Sequence, residues 1–207
     1  MGPSWLRREV IAPRAEQGAT IAVFAPWVIY WIVANSPSTW FYGALCAWLA
    51  AFMFGVSMGR GRGFKLLDIM TLVFFATVTI VGAVVGARDR DWMDTYATTL
   101  SSSVLAAMVF CSLAFVPFTE QYARDTVPLR MWSDPAFKHT HKVMTTVVGI
   151  VFSVIAVLGY IAVKAPSTSD WTNWVLPLVL LVAAARLLQV YPQRALTAGA
   201  MGRTIDE

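Results

Sequence analysis

VMTTVVGIVFSVIAVLGYIAV, residues 143–163, holds no ionisable side chain from end to end and is closed by Lys164. At ~1.5 Å per residue an α-helix of this length reaches about 31 Å, close to the thickness of a bilayer's hydrocarbon core. Hydrocarbon offers no partner to backbone N–H and C=O groups, so such a run reads as a membrane helix that satisfies them internally. Working outward, similar runs occupy 19–34, 40–58, 66–87 and 99–118 before it and 171–190 after it. The sequence therefore predicts an all-α integral membrane protein of six transmembrane helices, with no soluble domain. Composition agrees: 57% of the 207 residues are hydrophobic and 14% are charged, against about 25% charged in soluble chains. The two cysteines, Cys46 and Cys111, both fall in apolar runs and read as small buried side chains, not as a disulfide framework.

The punctuation between the runs is equally direct. Residues 1–18 carry Arg7, Arg8 and Arg14 beside Trp5, Leu6, Val10 and Ile11, which suits a cytoplasmic arm lying on the membrane surface. A basic segment before an apolar one also opens signal peptides; Ile32-Val33-Ala34 is a poor cleavage site, so the first run reads as a retained span. Asn35-Ser36-Pro37-Ser38-Thr39 is a turn, and Trp40, Phe41 and Tyr42 form an interfacial aromatic cluster. Gly82 and Gly86 give the third span a small-xxx-small face for close helix approach. Arg88 to Asp94 reads as a loop with nearly balanced charges, and Ser101, Ser102 and Ser103 supply hydroxyls that bond within or between helices.

An even number of spans puts both termini on one side. If that side is the cytoplasm it receives Arg7, Arg8, Arg14, Arg60, Arg62, Lys65, Arg124, Arg130, Lys138, Lys142, Arg194 and Arg203, whereas the other side receives Arg88, Arg90 and Lys164. The positive-inside rule then places both termini, the tail 191–207 and the long connector 119–142 in the cytoplasm of a bacterial inner membrane. Phe64-Lys65 with Met70-Thr71 and Phe137-Lys138 with Met144-Thr145 open the third and fifth spans alike. That echo suggests helices 2-3 repeated in helices 4-5, the arrangement of small transporters with a site at the repeat interface; chance likeness of two basic, aromatic helix starts is the competing reading.

Ionisable groups at membrane depth are costly, so each is a functional candidate. Asp68, Glu120 and Arg186 all fall near the cytoplasmic ends of their helices, with Arg124 close by; together they would line a polar vestibule. The plainer account has Asp68 stabilised by a helix N-terminus and Arg186 snorkelling to head groups. Arg60, Arg62 and Lys65 form a basic turn suited to anionic lipid head groups. It lacks the spacing of a nucleotide-binding loop, and nucleic acid is not implied by a positive charge distributed in this way. Arg130 and Trp132, between Pro128 and Pro135, and Phe137 just beyond mix apolar and charged groups as an interfacial segment does, and suit contact with lipid or a membrane partner.

His139 and His141 are the only histidines, and at i and i+2 of a helix they point about 200° apart. They are weak candidates for metal, and a b-type haem would need a ligand from an oligomer partner or a methionine. No cofactor is implied, and no grouping of nucleophile, base and carboxylate can be assembled. The function classes that remain are a small transporter or permeation pathway with that vestibule, a non-catalytic scaffold or assembly subunit docking a partner through 119–142, and, least, a haem-binding redox protein.

Finally, Pro117-Phe118-Thr119-x-Gln121-Tyr122-Ala123-Arg124-x-x-Val127-Pro128-x-x-x-Trp132-x-x-Pro135-x-Phe137 resembles a signature of uncharacterised bacterial multi-pass membrane proteins, distantly similar to the septation-protein-like group. The stretch covers about a tenth of the chain. The resemblance implies a six-helix-type inner-membrane protein and adds no catalytic residue. It also implies that the position of His141 is commonly an amide such as Asn, which speaks against a ligand function there.

Overall fold

The computed structural model describes residues 23–34, 36, 38–63, 65–125 and 127–203, with 57–62, 87, 88, 130 and 192–203 described by backbone alone. The arm 1–18, the first residues of the 19–34 span, and the side chains of Arg60, Arg62 and Arg130 lie outside that description. Among the described residues the regular structure is entirely helical. In chain order the α-helices are α1 (Ala25–Val33), α2 (Trp40–Arg62), α3 (Leu66–Val84), α4 (Ala87–Thr95), α5 (Ala97–Ser112), α6 (Phe118–Ala123), α7 (Pro135–Lys164) and α8 (Leu176–Arg203). Short helical turns at Leu129–Met131, Pro166–Thr168 and Trp171–Val175 join them.

Leu66–Val84, Pro135–Lys164 and Trp171–Tyr191 are long and apolar enough to cross a membrane. A fourth crossing exists if α4 and α5, bent by 64° at their break, form one span. Trp40–Val56 is a shorter apolar helix. Much of their surface is bare of protein: Ile69, Val73, Ile80 and Val84 on α3 and Leu178, Val179 and Val182 on α8 are exposed large apolar residues. Water-soluble monomers rarely leave so much contiguous apolar surface open, and hydrocarbon is the solvent that suits it. Cys46 and Cys111 belong to this outer surface, which corrects the expectation that they are buried; a thiol is apolar enough to face either protein or lipid.

The short α1 packs chiefly on α2, with Val28 and Ile32 facing outward, and reaches further helices through its aromatic side chains. Pro26 is tolerated in its first turn because the missing N–H has no helical acceptor there. Trp27 is fully buried, stacks on Phe74 at 5.0 Å and meets Phe75 at 4.9 Å, and donates its indole N–H to Thr71 Oγ1 at 3.2 Å. One turn later Trp31 donates to Ser101 Oγ at 2.9 Å and packs on Phe152. Just before the helix, Phe24 contacts Phe118 and Phe152. The α1 side chains thus tie the α2–α3 hairpin to the α5–α7 pair, each aromatic contact contributing roughly 0.5–1.5 kcal/mol beyond its buried area.

Within each pair the close approach is made by small residues. Gly82 is buried under Trp40, and a methyl group there would come within 2.6 Å of the indole. Gly86 faces open space, so only half of the expected small-xxx-small face is used. Gly149 lies under the Phe110 ring and Gly159 against Thr99. Ser101 Oγ bonds back to Ala97 O at 2.6 Å while accepting from Trp31, so its hydroxyl serves both within and between helices.

Several boundaries differ from the sequence reading, the expected turn after residue 58 among them, where α2 continues to Arg62. The charged stretch after α3 is helical as α4, not a loop. The fourth run stops at Ser112, because a turn over 113–117 ending in Pro117 separates it from α6. The connector 119–142 is largely ordered: Asp134 caps α7 by accepting from Ala136 N, Pro135 takes the first helical position, and the helix therefore begins eight residues before Val143. At the C-terminal end the backbone stays helical past Pro192 to Arg203.

Candidate functional site at the start of α3

The polar groups singled out in the sequence gather where α6 docks on the first turn of α3. Asp68, in that turn, accepts from the backbone N–H of Lys65 at 3.4 Å and from the Tyr122 hydroxyl at 2.5 Å. A carboxylate at a helix N-terminus satisfies an orphan donor and complements the dipole. Burial, and then the adjoining Asp68 charge, push the Tyr122 phenol well above its ordinary range. The hydroxyl therefore stays protonated and remains a donor.

Around this bond the connector is attached twice more. Gln121 Oε1 accepts from Leu66 N at 3.1 Å, while its Nε2 donates to Val116 O at 2.7 Å. The Lys65 ammonium pairs with Asp125 and lies 4.7 Å from the Tyr122 ring centroid. Lys65 is thereby turned inward, its side chain 10% exposed.

On the other side of α6, Glu120 is 3% exposed and accepts from Arg124 at 2.6 Å. The Arg124 guanidinium lies over the Trp132 ring at 4.9 Å, and Trp132 Nε1 donates to Val127 O at 3.4 Å. Thr119 Oγ1 donates to the His141 carbonyl at 2.9 Å and accepts from Thr145 Oγ1 at 2.9 Å. The Phe118 ring is fully buried, and its N–H donates to Ser112 Oγ at 3.1 Å. A six-residue helix has little stability of its own, so these contacts hold it in place.

Of the expected vestibule, Asp68, Glu120 and Arg124 come together around α6. Arg186 is exposed on α8, which packs chiefly on α7, and neither ion pair among the described residues includes it. The pocket that reaches Asp68 is lined by Val23, Pro26, Ala51, Phe54, Gly55 and Thr71 and has a volume of about 10 Å³, scarcely room for one water. Phe137 packs on the His141 ring at 4.4 Å. His139 is exposed whereas His141 is buried, as their spacing requires, and no group of three or more metal-ligating side chains occurs among the described residues. Tyr122, Gln121, Asp125 and Thr119 are the members that sequence reasoning did not name as site residues; all four lie within Pro117–Phe137, three of them at specified positions of the signature.

Comparison with known protein families, with curated proteins and with solved structures finds no match to this chain.

Proposed function

We propose that the chain is a multi-pass protein of the bacterial inner membrane that crosses six times with both termini in the cytoplasm. On this reading it acts as a scaffold or assembly subunit, presenting its docked connector to a membrane partner. The observation that carries the scaffold reading is the internal use of the charges at the start of α3. Lys65 pairs with Asp125, Arg124 with Glu120, and Asp68 with Tyr122, so the connector is tied to the start of α3 at more than one point, while Leu129 and, in the turn before α6, Phe115 are 73% and 80% exposed. A fixed backbone carrying outward apolar groups loses little entropy when a partner covers them. The basic residues on this face support the cytoplasmic placement. The pairing of α2 with α3 and of α5 with α7 is what the 2-3 and 4-5 repeat would require. A photo-cross-linker placed at Leu129 or Phe115 in cells is expected to capture one dominant membrane protein, a second copy included; labelling of lipid alone contradicts the scaffold reading.

The transport reading is favoured by one feature, a carboxylate edging a mostly apolar pocket between α1, α2 and α3. It requires that pocket to widen into a path. Proteoliposome flux of protons and small cations that is abolished by Asp68→Asn would support it, and no flux above empty vesicles would exclude it.

A further inference from the structure

The outward face of α7 has an order along its length that the bundle itself does not use. Lys138, His139 and Lys142 are exposed in its first turns; Thr146 follows, then Ile150, Val154, Val157 and Ile161, all exposed large apolar residues, and at the far end Tyr160 and Lys164. At ~100° per residue these positions fall within one half of the helix surface. The opposite half carries the buried set His141, Met144, Val148, Phe152, Ile155 and Gly159. One side of α7 is therefore mainly protein core and the other mainly solvent or lipid, with Gly149 and Ala156 buried along the seam between them.

The spacing of the lysines identifies which. The 30 residues of α7 rise about 45 Å, half as long again as the ~30 Å hydrocarbon core. From Lys142 to Lys164 the rise is about 33 Å, so the two ammonium groups bracket a stripe of hydrocarbon thickness. The Lys164 ammonium lies 5.6 Å from the Tyr160 ring centroid, an aromatic-plus-lysine pairing that suits an interface. At the other end Lys142 reaches the level of the head groups, and Lys138 lies one turn further out, among the phosphates. Neither takes part in the ion pairs found among the described residues. The Asp134 carboxylate, a turn before Lys138, is engaged by the N–H of Ala136. These two cations are thus left for an external anion at a fixed depth.

We propose that Lys138 and Lys142, with His139 between them, form a contact ridge for the head groups of anionic phospholipids. The ridge is distinct from the basic turn expected at Arg60, Arg62 and Lys65, of which Lys65 is paired with Asp125. Aliphatic stems lying along the lipid-facing stripe with ammonium groups at the phosphates is the geometry that makes lysine favourable at a membrane boundary. The proposal depends on α7 crossing the membrane and on nothing in the scaffold or transport readings, so lipid selectivity and partner capture can fail independently.

The test is the boundary lipid of the full-length protein in phosphatidylcholine bilayers, read by electron paramagnetic resonance with spin-labelled phosphatidylglycerol and spin-labelled phosphatidylcholine. The protein is expected to prefer phosphatidylglycerol, and Lys138→Gln with Lys142→Gln is expected to lower that preference by up to about fivefold for each lysine removed. In the unmodified protein, raising the salt concentration should weaken the preference, a reading independent of how the variant folds. Equal association of the two lipids, a preference unchanged in a double variant of wild-type helicity, or a preference insensitive to salt would each overturn the proposal.

Discussion

Tyr122 and Asp68 form the bond on which the docking of α6 turns, and their exchange for near-isosteres isolates it. Tyr122→Phe keeps the ring beside Lys65 but leaves the Asp68 carboxylate without its side-chain donor. Hydrogen bonds to charged groups are worth roughly 1.5–3 kcal/mol, so detergent-solubilised Tyr122→Phe should unfold earlier in a denaturant titration followed by circular dichroism, by about that amount. Lys65 and Asp125 offer a sharper check, because their contribution is one of pairing. Lys65→Asp and Asp125→Lys should each destabilise, and the combined exchange should recover most of the loss, whereas additive losses would deny the pair. Asp68 and Glu120 were legible as candidates from sequence because a carboxylate beside an apolar run is conspicuous. Tyr122 and Asp125 were not, since the partner of a side chain 54 or 60 positions away is set by how α6 lands on α3, and nothing local to residues 118–125 encodes that.

At the scale of elements, the period and length of the apolar runs were enough to find α2, α3, α5, α7 and the stretch from Trp171. The residues between them proved harder to place. The Arg88–Asp94 segment lacks an apolar face, yet Arg and Asp alternating in this way do not prevent a helix, and α4 forms. The start of α7 had a local signal, Asp134-Pro135, of the kind that opens helices; the apolar run beginning at Val143 drew the boundary inward instead. Helix pairing can be tested at its close contacts. Gly149→Val drives an isopropyl group into the Phe110 ring and should cost about 1–3 kcal/mol, read as loss of stability in the same titration. Gly86→Ala, in open space, should be close to neutral, and equal effects at the two glycines would contradict this packing.

For the whole molecule, the bridging contacts of α1 are the feature that composition and periodicity did not indicate. Its apolar content marks a span, but its nine described helical residues reach only about 14 Å, and its indoles find Thr71 and Ser101 on two different helices. This makes α1 the joint between two helix pairs, and Trp27→Ala should be the most damaging single truncation there, at roughly 3–5 kcal/mol, measured as above. The largest claim is that α7 crosses the bilayer with the α3–α6 junction on the cytoplasmic side. It is tested most directly by single cysteines at Lys138 and at Lys164, in a Cys46→Ala/Cys111→Ala background, with a membrane-impermeant maleimide applied to oriented vesicles. Labelling of position 138 only in inverted vesicles and of position 164 only in right-side-out vesicles is the expected result; labelling of both positions from the same side would contradict the claim.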